Sequence, residues 1–338
     1  MEKEKEIDID TSNEEVVEVK DSKKLVTKKK YKVKKNMIKL FIILIILMLI
    51  ALAGYFYYKH VTSDKYLLTK KGYSEDQVNS ILKDNDMKDE LLKRDYNEYI
   101  FDVMTSKYYL EKNLDKYLEY KEDNTDKDIT DVISIINVGA DKEWYDDAVE
   151  TDTTKGILML VNKFNYLTED YEVDDLVDMS IQFAFNGKQI KEEVYFAFKT
   201  MAIDAAKENL KLVANSTYRT YSYQKNIYTS YKNSKGTEYA DSYAARAGHS
   251  EHQTGLSIDI STLNSTTDNF VETKEFTWLM DNAYKYGFIL RYPEDKEYLT
   301  GYNYESWHYR YVGKDAAKQI HDEDITFDEY YAYYIDGE

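Results

Sequence analysis

Cysteine is absent from all 338 residues. That excludes a disulfide framework and any thiolate metal site, so a bound metal has only histidine, carboxylate and water to hold it. The absence is compatible with an oxidising compartment outside the cytoplasm. Proline occurs once, and with abundant lysine, asparagine, isoleucine and tyrosine this suggests an AT-rich bacterial genome. Basic charge is in deficit: 45 Lys and Arg stand against 63 Asp and Glu, a formal net charge of -18. No basic face follows residue 60, which argues against a nucleic-acid partner, because phosphate neutralisation needs clustered cations on the working domain. Hydrophobic residues make up 43% of the chain, enough at this length to fill one or two cores.

Charge is missing altogether from residues 40–58 (LFIILIILMLIALAGYFYY), a run long enough to cross a bilayer core as a helix. Residues 20–39 carry ten lysines against the single acid Asp21, and this bias puts the N-terminus in the cytoplasm and everything after Lys59 outside. Tyr55, Phe56, Tyr57 and Tyr58 form an aromatic belt at the outer interface. The rival reading is a signal peptide cleaved near Ala51-Leu52-Ala53; the long polar stretch before the apolar run weighs against it. Residues 1–19 are acidic and without apolar periodicity, so 1–39 reads as a disordered cytoplasmic tail ending in a basic juxtamembrane run.

The exported part divides into a helical spacer, 59–150, and a catalytic domain, 151–338. Helical spacing of apolar residues over 73–119 predicts two or three helices, with Ser74 as an N-cap. The segments DVISIINV (131–138) and GILMLV (156–161) read as strands. A helix is expected over 192–212, its buried stripe formed by Tyr195, Phe198, Met201, Ala202 and Ala205. A strand over 213–219, a short helix over 222–231 and a polar loop over 233–248 follow. Then come a buried strand (255–260), a helix over 273–286 stopped by Gly287, and a last strand (308–312). This order fits an α+β fold. The acidic, tyrosine-rich segment 327–335 is expected to pack on the surface or fray.

Two segments 46 residues apart carry the chemistry: Ser250-Glu251-His252-Gln253-Thr254-Gly255-Leu256-Ser257-Ile258-Asp259 and Glu305-Ser306-Trp307-His308. A turn at Gly255 followed by a strand brings His252 and Asp259 to one point at a sheet edge. His308 completes a three-ligand set with a fourth position left for water, the pattern of a catalytic rather than a structural zinc site. Glu305, three residues before His308, is placed as general base. Trp307 and Tyr309 are expected to wall the site. Arg219, at the end of a predicted strand, can hold an oxyanion or a substrate carboxylate. His60, His249 and His321 read as structural or solvated. Arg291 and Tyr292 either line the pocket or close the domain.

These residues resemble the zinc D-alanyl-D-alanine carboxypeptidases of the VanY type, in the wider group that contains LdcB, VanX and VanXY. The resemblance runs through Ser216-Thr217-Tyr218-Arg219-Thr220-Tyr221 with Gln224, then 248–260, 286–293, Thr300-Gly301 and 305–313. It implies a small antiparallel sheet flanked by helices. It also implies one Zn2+ on His252, Asp259 and His308, Glu305 as general base, and Arg219, Gln224 and Ser250 contacting substrate. Thr220 stands where serine is common and Ser257 where alanine is common, and 166–176 lacks the prolines often found there. The implied activity is removal of the terminal D-alanine from peptidoglycan stem peptides by a membrane-anchored enzyme facing the cell wall. L,D-carboxypeptidase action on tetrapeptide stems and a non-catalytic wall-binding role are the alternatives.

Overall fold

The computed structural model describes residues 35–263 and 267–336. The acidic tail and most of the lysine run lie outside them. The chain divides into two compact units, with the division after Asn97.

The first unit begins with α1 (Lys35–Val61), followed by α2 (Asp64–Lys71), α3 (Glu75–Ile81) and α4 (Asn85–Lys93). None of α1 is buried, and at 27 residues it is long and apolar enough to cross a membrane. The three short helices each start on a side chain that accepts a backbone N–H: Ser63, Ser74 and Asp84. Ser74 and Gln77 form a reciprocal capping box, which satisfies two otherwise orphaned donors. Leu68, Val78, Ile81, Met87 and Leu91 fill the space between these helices.

The second unit opens with α5 (Ile100–Met104), α6 (Leu114–Asp123) and α7 (Ile129–Val138). The expected strand over 131–138 is in fact α7. Asp128 caps it through the N–H of Asp131 at 2.8 Å, and Gly139 ends it at φ 78. Val132, Ile133, Ser134, Ile135 and Ile136 are all buried. A helix buried on several sides loses its polar face, and a β-branched run without periodicity then reads as strand. One wall of α7 is the C-terminal region, reached by Ser134 Oγ donating to Glu329 Oε1 at 2.7 Å.

Two small sheets follow. β1 (Val149–Glu150) pairs in parallel with β2 (Asn165–Tyr166), and β3 (Leu176–Asp178) runs antiparallel to β4 (Gln189–Lys191). The segment 156–161, expected as a strand, forms no ladder. It turns through a 3-10 helix, Thr153–Leu158, with Gly156 at φ 58. The carbonyls of Ile157 and Met159 accept from the guanidinium of Arg310 at 2.9 and 2.8 Å, so a side chain satisfies them in place of a neighbouring strand.

The main sheet is antiparallel, ordered β5 (Val213–Ser216), β6 (Ser257–Ser261), β8 (His308–Tyr311), β7 (Phe288–Leu290). Because side chains alternate along a strand, Ile258 and Ile260 of β6 and Tyr309 of β8 enter one core with Phe288 of β7. There they meet α8 (Glu192–Lys207) through Phe198, Met201, Ala202 and Ala205. α8 ends earlier than expected, where Asn209 turns to φ 61. β5 stops at Ser216 because the next amides leave the ladder, that of Tyr218 for Gln189 O and that of Arg219 for His252 O. α9 (Tyr221–Lys235) exceeds its expected span, and α10 (Thr237–Tyr243) occupies the segment read as a loop.

The remaining elements are α11 (Lys274–Asn282), α12 (Glu297–Thr300), α13 (Lys314–Glu323) and α14 (Phe327–Tyr334). A 3-10 turn at Ala283–Tyr286 and Gly287 at φ 90 close the helix preceding β7. The C-terminal segment is not a surface tail. Phe327, Asp328, Glu329 and Tyr330 are buried, and Phe327 and Tyr330 share a second core with Ile289, Val312, Ala317 and Ile320. Its mixture of aromatic and acidic residues hid a helix whose acids, Asp328 and Glu329, have buried partners.

Candidate metal centre and active site

The sheet face away from α8 carries the site. Asp259 sits in the middle of β6 and His308 begins β8, and the two are directly opposed in the antiparallel register. His252 comes from the 3-10 turn Glu251–Thr254, which Gly255 closes at φ 70. Nε2 of His252 lies 3.3 Å from Asp259 Oδ1, and Nδ1 of His308 lies 3.1 Å from the same oxygen. One ligand atom from each of the three residues falls within 4.8 Å of the others, and all three side chains are buried.

The outward-facing nitrogens are taken. Nδ1 of His252 lies 2.6 Å from the carbonyl of Thr217, a contact that makes it the protonated nitrogen and leaves Nε2 as a lone-pair donor. Nε2 of His308 lies 3.3 Å from Glu251 Oε2. Arg219 Nη2 donates to Asp259 Oδ2 at 2.7 Å, so the other oxygen is the one the two imidazoles face. Two imidazoles and a carboxylate, each oriented from behind, suit a borderline cation such as zinc.

Burial pushes His252 down to about 4, with Arg219 adding to it. Burial opposes ionisation of Asp259, but His252 and Arg219 outweigh it and hold the carboxyl well below its usual range. Burial also disfavours the charged form of His308, yet its bonds to Asp259 and Glu251 raise it to about 9. Glu305 is raised to about 7, chiefly by burial.

Glu305 reaches the centre from the turn before β8. Its Oε2 is 3.7 Å from His308 Nδ1, and its amide is anchored on the carbonyl of Tyr292 at 3.1 Å. Arg219 is fixed by Ser216 Oγ at 2.9 Å and Gln224 Oε1 at 3.3 Å, besides Asp259. Gln224 in turn donates to the carbonyl of Ala245 at 2.9 Å. Ser250 is buried immediately before the His252 turn, its carbonyl accepting from the amide of Gln253. Tyr309 does not wall the site, since strand alternation turns it into the core under α8, and Trp307 packs against that same core. The ring beside His308 is Tyr292, 5.0 Å away and backed by Tyr302 at 4.9 Å. His249 is structural, its Nδ1 2.8 Å from the carbonyl of Asn162 and its ring edge-on to Tyr145.

Sequence reasoning missed Glu251, Arg310 and Asp328. Glu251 Oε1 accepts from Arg291 Nε at 2.7 Å and from Arg310 Nη1 at 2.9 Å, and none of these three side chains is exposed. Arg291 continues to Asp328 on α14 at 2.6 Å. Arg310 was legible in principle, because it shares a strand face with His308 two residues earlier.

A family model described as VanY, D-alanyl-D-alanine carboxypeptidase, matches residues 187–314, which include His252, Asp259, Glu305 and His308. The Bacillus subtilis protein named "Putative carboxypeptidase YodJ" is 46% identical over 193 residues, covering 55% of this chain and 71% of that one. The chain belongs to the VanY family. A D-alanyl-D-alanine carboxypeptidase of Enterococcus faecium is 34% identical over 193 residues, 54% of this chain and 60% of the relative. The solved structure of the LdcB LD-carboxypeptidase is also similar, at 44% identity and a TM-score of 0.52, over 56% of this chain and 91% of that one. The likeness to LdcB is one of fold as well as sequence, and in this chain that fold is a small antiparallel sheet flanked by helices.

Proposed function

We propose that this chain is a zinc-dependent D-alanyl-D-alanine carboxypeptidase that removes the terminal D-alanine from peptidoglycan stem peptides. The observation that carries the reading is the convergence of His252, Asp259 and His308 on one point with Glu305 3.7 Å from His308. His252, Asp259 and His308 would hold the ion, which when bound supplies a Lewis acid and lowers the pKa of a water to about 7.

The chain's own groups do the rest. Glu305, raised to about 7 by burial, takes the proton of the attacking water and returns it to the leaving amine, a task that needs a carboxyl able to exchange protons near neutrality. Arg219, anchored on Asp259 and Gln224 but still partly exposed, turns its remaining N–H groups toward the oxyanion or the terminal carboxylate. Gln224 holds Arg219 in place, and Ser250 supports the turn that bears His252 while bordering the substrate. The helix α1, with a lysine-rich segment before it, serves as a single-pass anchor that leaves the catalytic unit on the wall side.

Similarity to the LdcB LD-carboxypeptidase favours cleavage of tetrapeptide stems as a second reading. Full-length protein in detergent, incubated with defined pentapeptide and tetrapeptide muropeptides and followed by mass spectrometry, separates the two. Loss of one alanine from the pentapeptide, abolished by a chelator and restored by zinc, is the expected result. Alanine loss from the tetrapeptide alone would assign the second reading. A folded, zinc-loaded protein that cleaves neither stem would overturn both and leave a wall-binding role.

A further inference from the structure

Behind the metal-ligand cluster lies a chain of buried ionic contacts that ends outside the segment matched by the family model. His308 Nε2 faces Glu251 Oε2, and Glu251 Oε1 receives Arg291 and Arg310. Arg291 bridges from Glu251 to both carboxylate oxygens of Asp328, through Nη1 at 2.6 Å and Nη2 at 3.3 Å. Asp328 belongs to the first turn of α14, and the matched segment stops at residue 314. Asn162 Nδ2 donates to Asp328 Oδ1 at 2.8 Å.

The arrangement is balanced in charge. Two guanidinium groups, Arg291 and Arg310, meet two carboxylates, Glu251 and Asp328, and none of the four side chains is more than 3% exposed. A balanced set lets Glu251 face the imidazole as a hydrogen-bond acceptor, which keeps a proton on Nε2 of His308 and leaves Nδ1, on the Asp259 side, as the nitrogen that would bind the ion. Without the negative charge of Asp328, Arg291 would be left with Glu251 as its one carboxylate partner in a site that water cannot screen. Glu251 would then be drawn toward the guanidinium groups, and its hold on the imidazole would weaken.

We propose that Asp328 is a remote positioning residue for the metal ligand His308, acting through Arg291 and Glu251, so that the C-terminal helix is part of the catalytic unit. This rests on the metal reading above and extends it to a helix that lies beyond the segment matched by the family model.

The test is zinc affinity, measured by competition with a chelating dye on full-length protein, with circular dichroism and thermal melts of the metal-free form as folding controls. Glu251→Gln is expected to weaken zinc binding about 10- to 100-fold, the cost typical of losing an outer partner of a ligand histidine. Asp328→Asn should weaken it toward the low end of that range, with Asp328→Glu recovering part of the loss. The double variant should bind no more weakly than Glu251→Gln alone, because both changes break one path. Undiminished affinity in a folded Asp328→Asn protein, or fully additive losses, would overturn the proposal. Should Asp328→Asn fail to fold, Asn162→Ala decides, with the same folding controls: it takes one charge-assisted hydrogen bond from Asp328 and leaves all charges in place, besides the two turn bonds that Asn162 accepts from the amides of Phe164 and Asn165; a severalfold loss of affinity is expected, and none would overturn the proposal. Wild-type protein that binds no zinc would instead refute the metal reading itself.

Discussion

Nδ1 of His308 faces two carboxylates at once, Asp259 at 3.1 Å and Glu305 at 3.7 Å. The first lies with it in the three-residue cluster and the second borders that cluster, so on the proposed mechanism one nitrogen would mark where metal binding and proton transfer meet. Glu305→Gln keeps the shape and removes the base. Turnover of the cleaved stem should fall about 10^2- to 10^4-fold, with zinc stoichiometry unchanged. Near-normal turnover in the variant would remove Glu305 from the mechanism.

Metal binding should depend on pH with a definite sign. In the metal-free protein His252, pushed down to about 4, is already neutral near pH 7, whereas His308, raised to about 9, still carries a proton. Zinc must displace that proton, so affinity should rise about tenfold per pH unit from pH 6 and level off near pH 9. Dye-competition titrations at four pH values would reveal the slope, and a flat profile would contradict the assignment.

Lys163 gives a second pH test, away from the metal ligands. Its ammonium donates to the carbonyl of Asp241 at 2.8 Å and lies 5.3, 5.3 and 4.6 Å from the ring centres of Trp144, Tyr145 and Tyr302. Burial lowers its pKa to about 8. Between that value and the ordinary lysine range the unfolded chain binds the extra proton, so stability from this group rises with pH. Thermal melts should show wild type gaining on Lys163→Met from pH 8 to pH 10, by about 2 kcal/mol. A constant difference would mean that the lysine keeps its charge in the fold.

Gly248 ties the residue after β2 to the loop that leads to His252, its carbonyl accepting from the amide of Leu167 at 2.8 Å. It sits at φ 86, and a Cβ there would lie 2.6 Å from the carbonyl oxygen of Leu167. Gly248→Ala is therefore expected to cost about 1–3 kcal/mol, read as a lowered melting temperature. An unchanged melting temperature would show that the loop can move aside.

That His252, Asp259, His308 and Glu305 come together was legible because the four lie in two short segments, and the Gly287 stop was legible because few residues accept a positive φ. What escaped was set by tertiary partners. The run 131–138 has the residues of a strand, but α6 and α14 bury it as a helix. The carbonyls of Ile157 and Met159 bond to Arg310, 153 and 151 residues further along the chain, a distance over which local pattern carries no information. Arg219 was read for its charge toward substrate, whereas its bond to Asp259 Oδ2 depends on two strands being paired.

The direct opposition of Asp259 and His308 across β6 and β8 has a meaning for quality control. A slip of one residue in that pairing would put Tyr309 beside Asp259 and send His308 to the opposite face. On the proposed zinc reading, metal capture would thus report strand alignment, and a molecule that loads its ion would already have passed an inspection of its own folding.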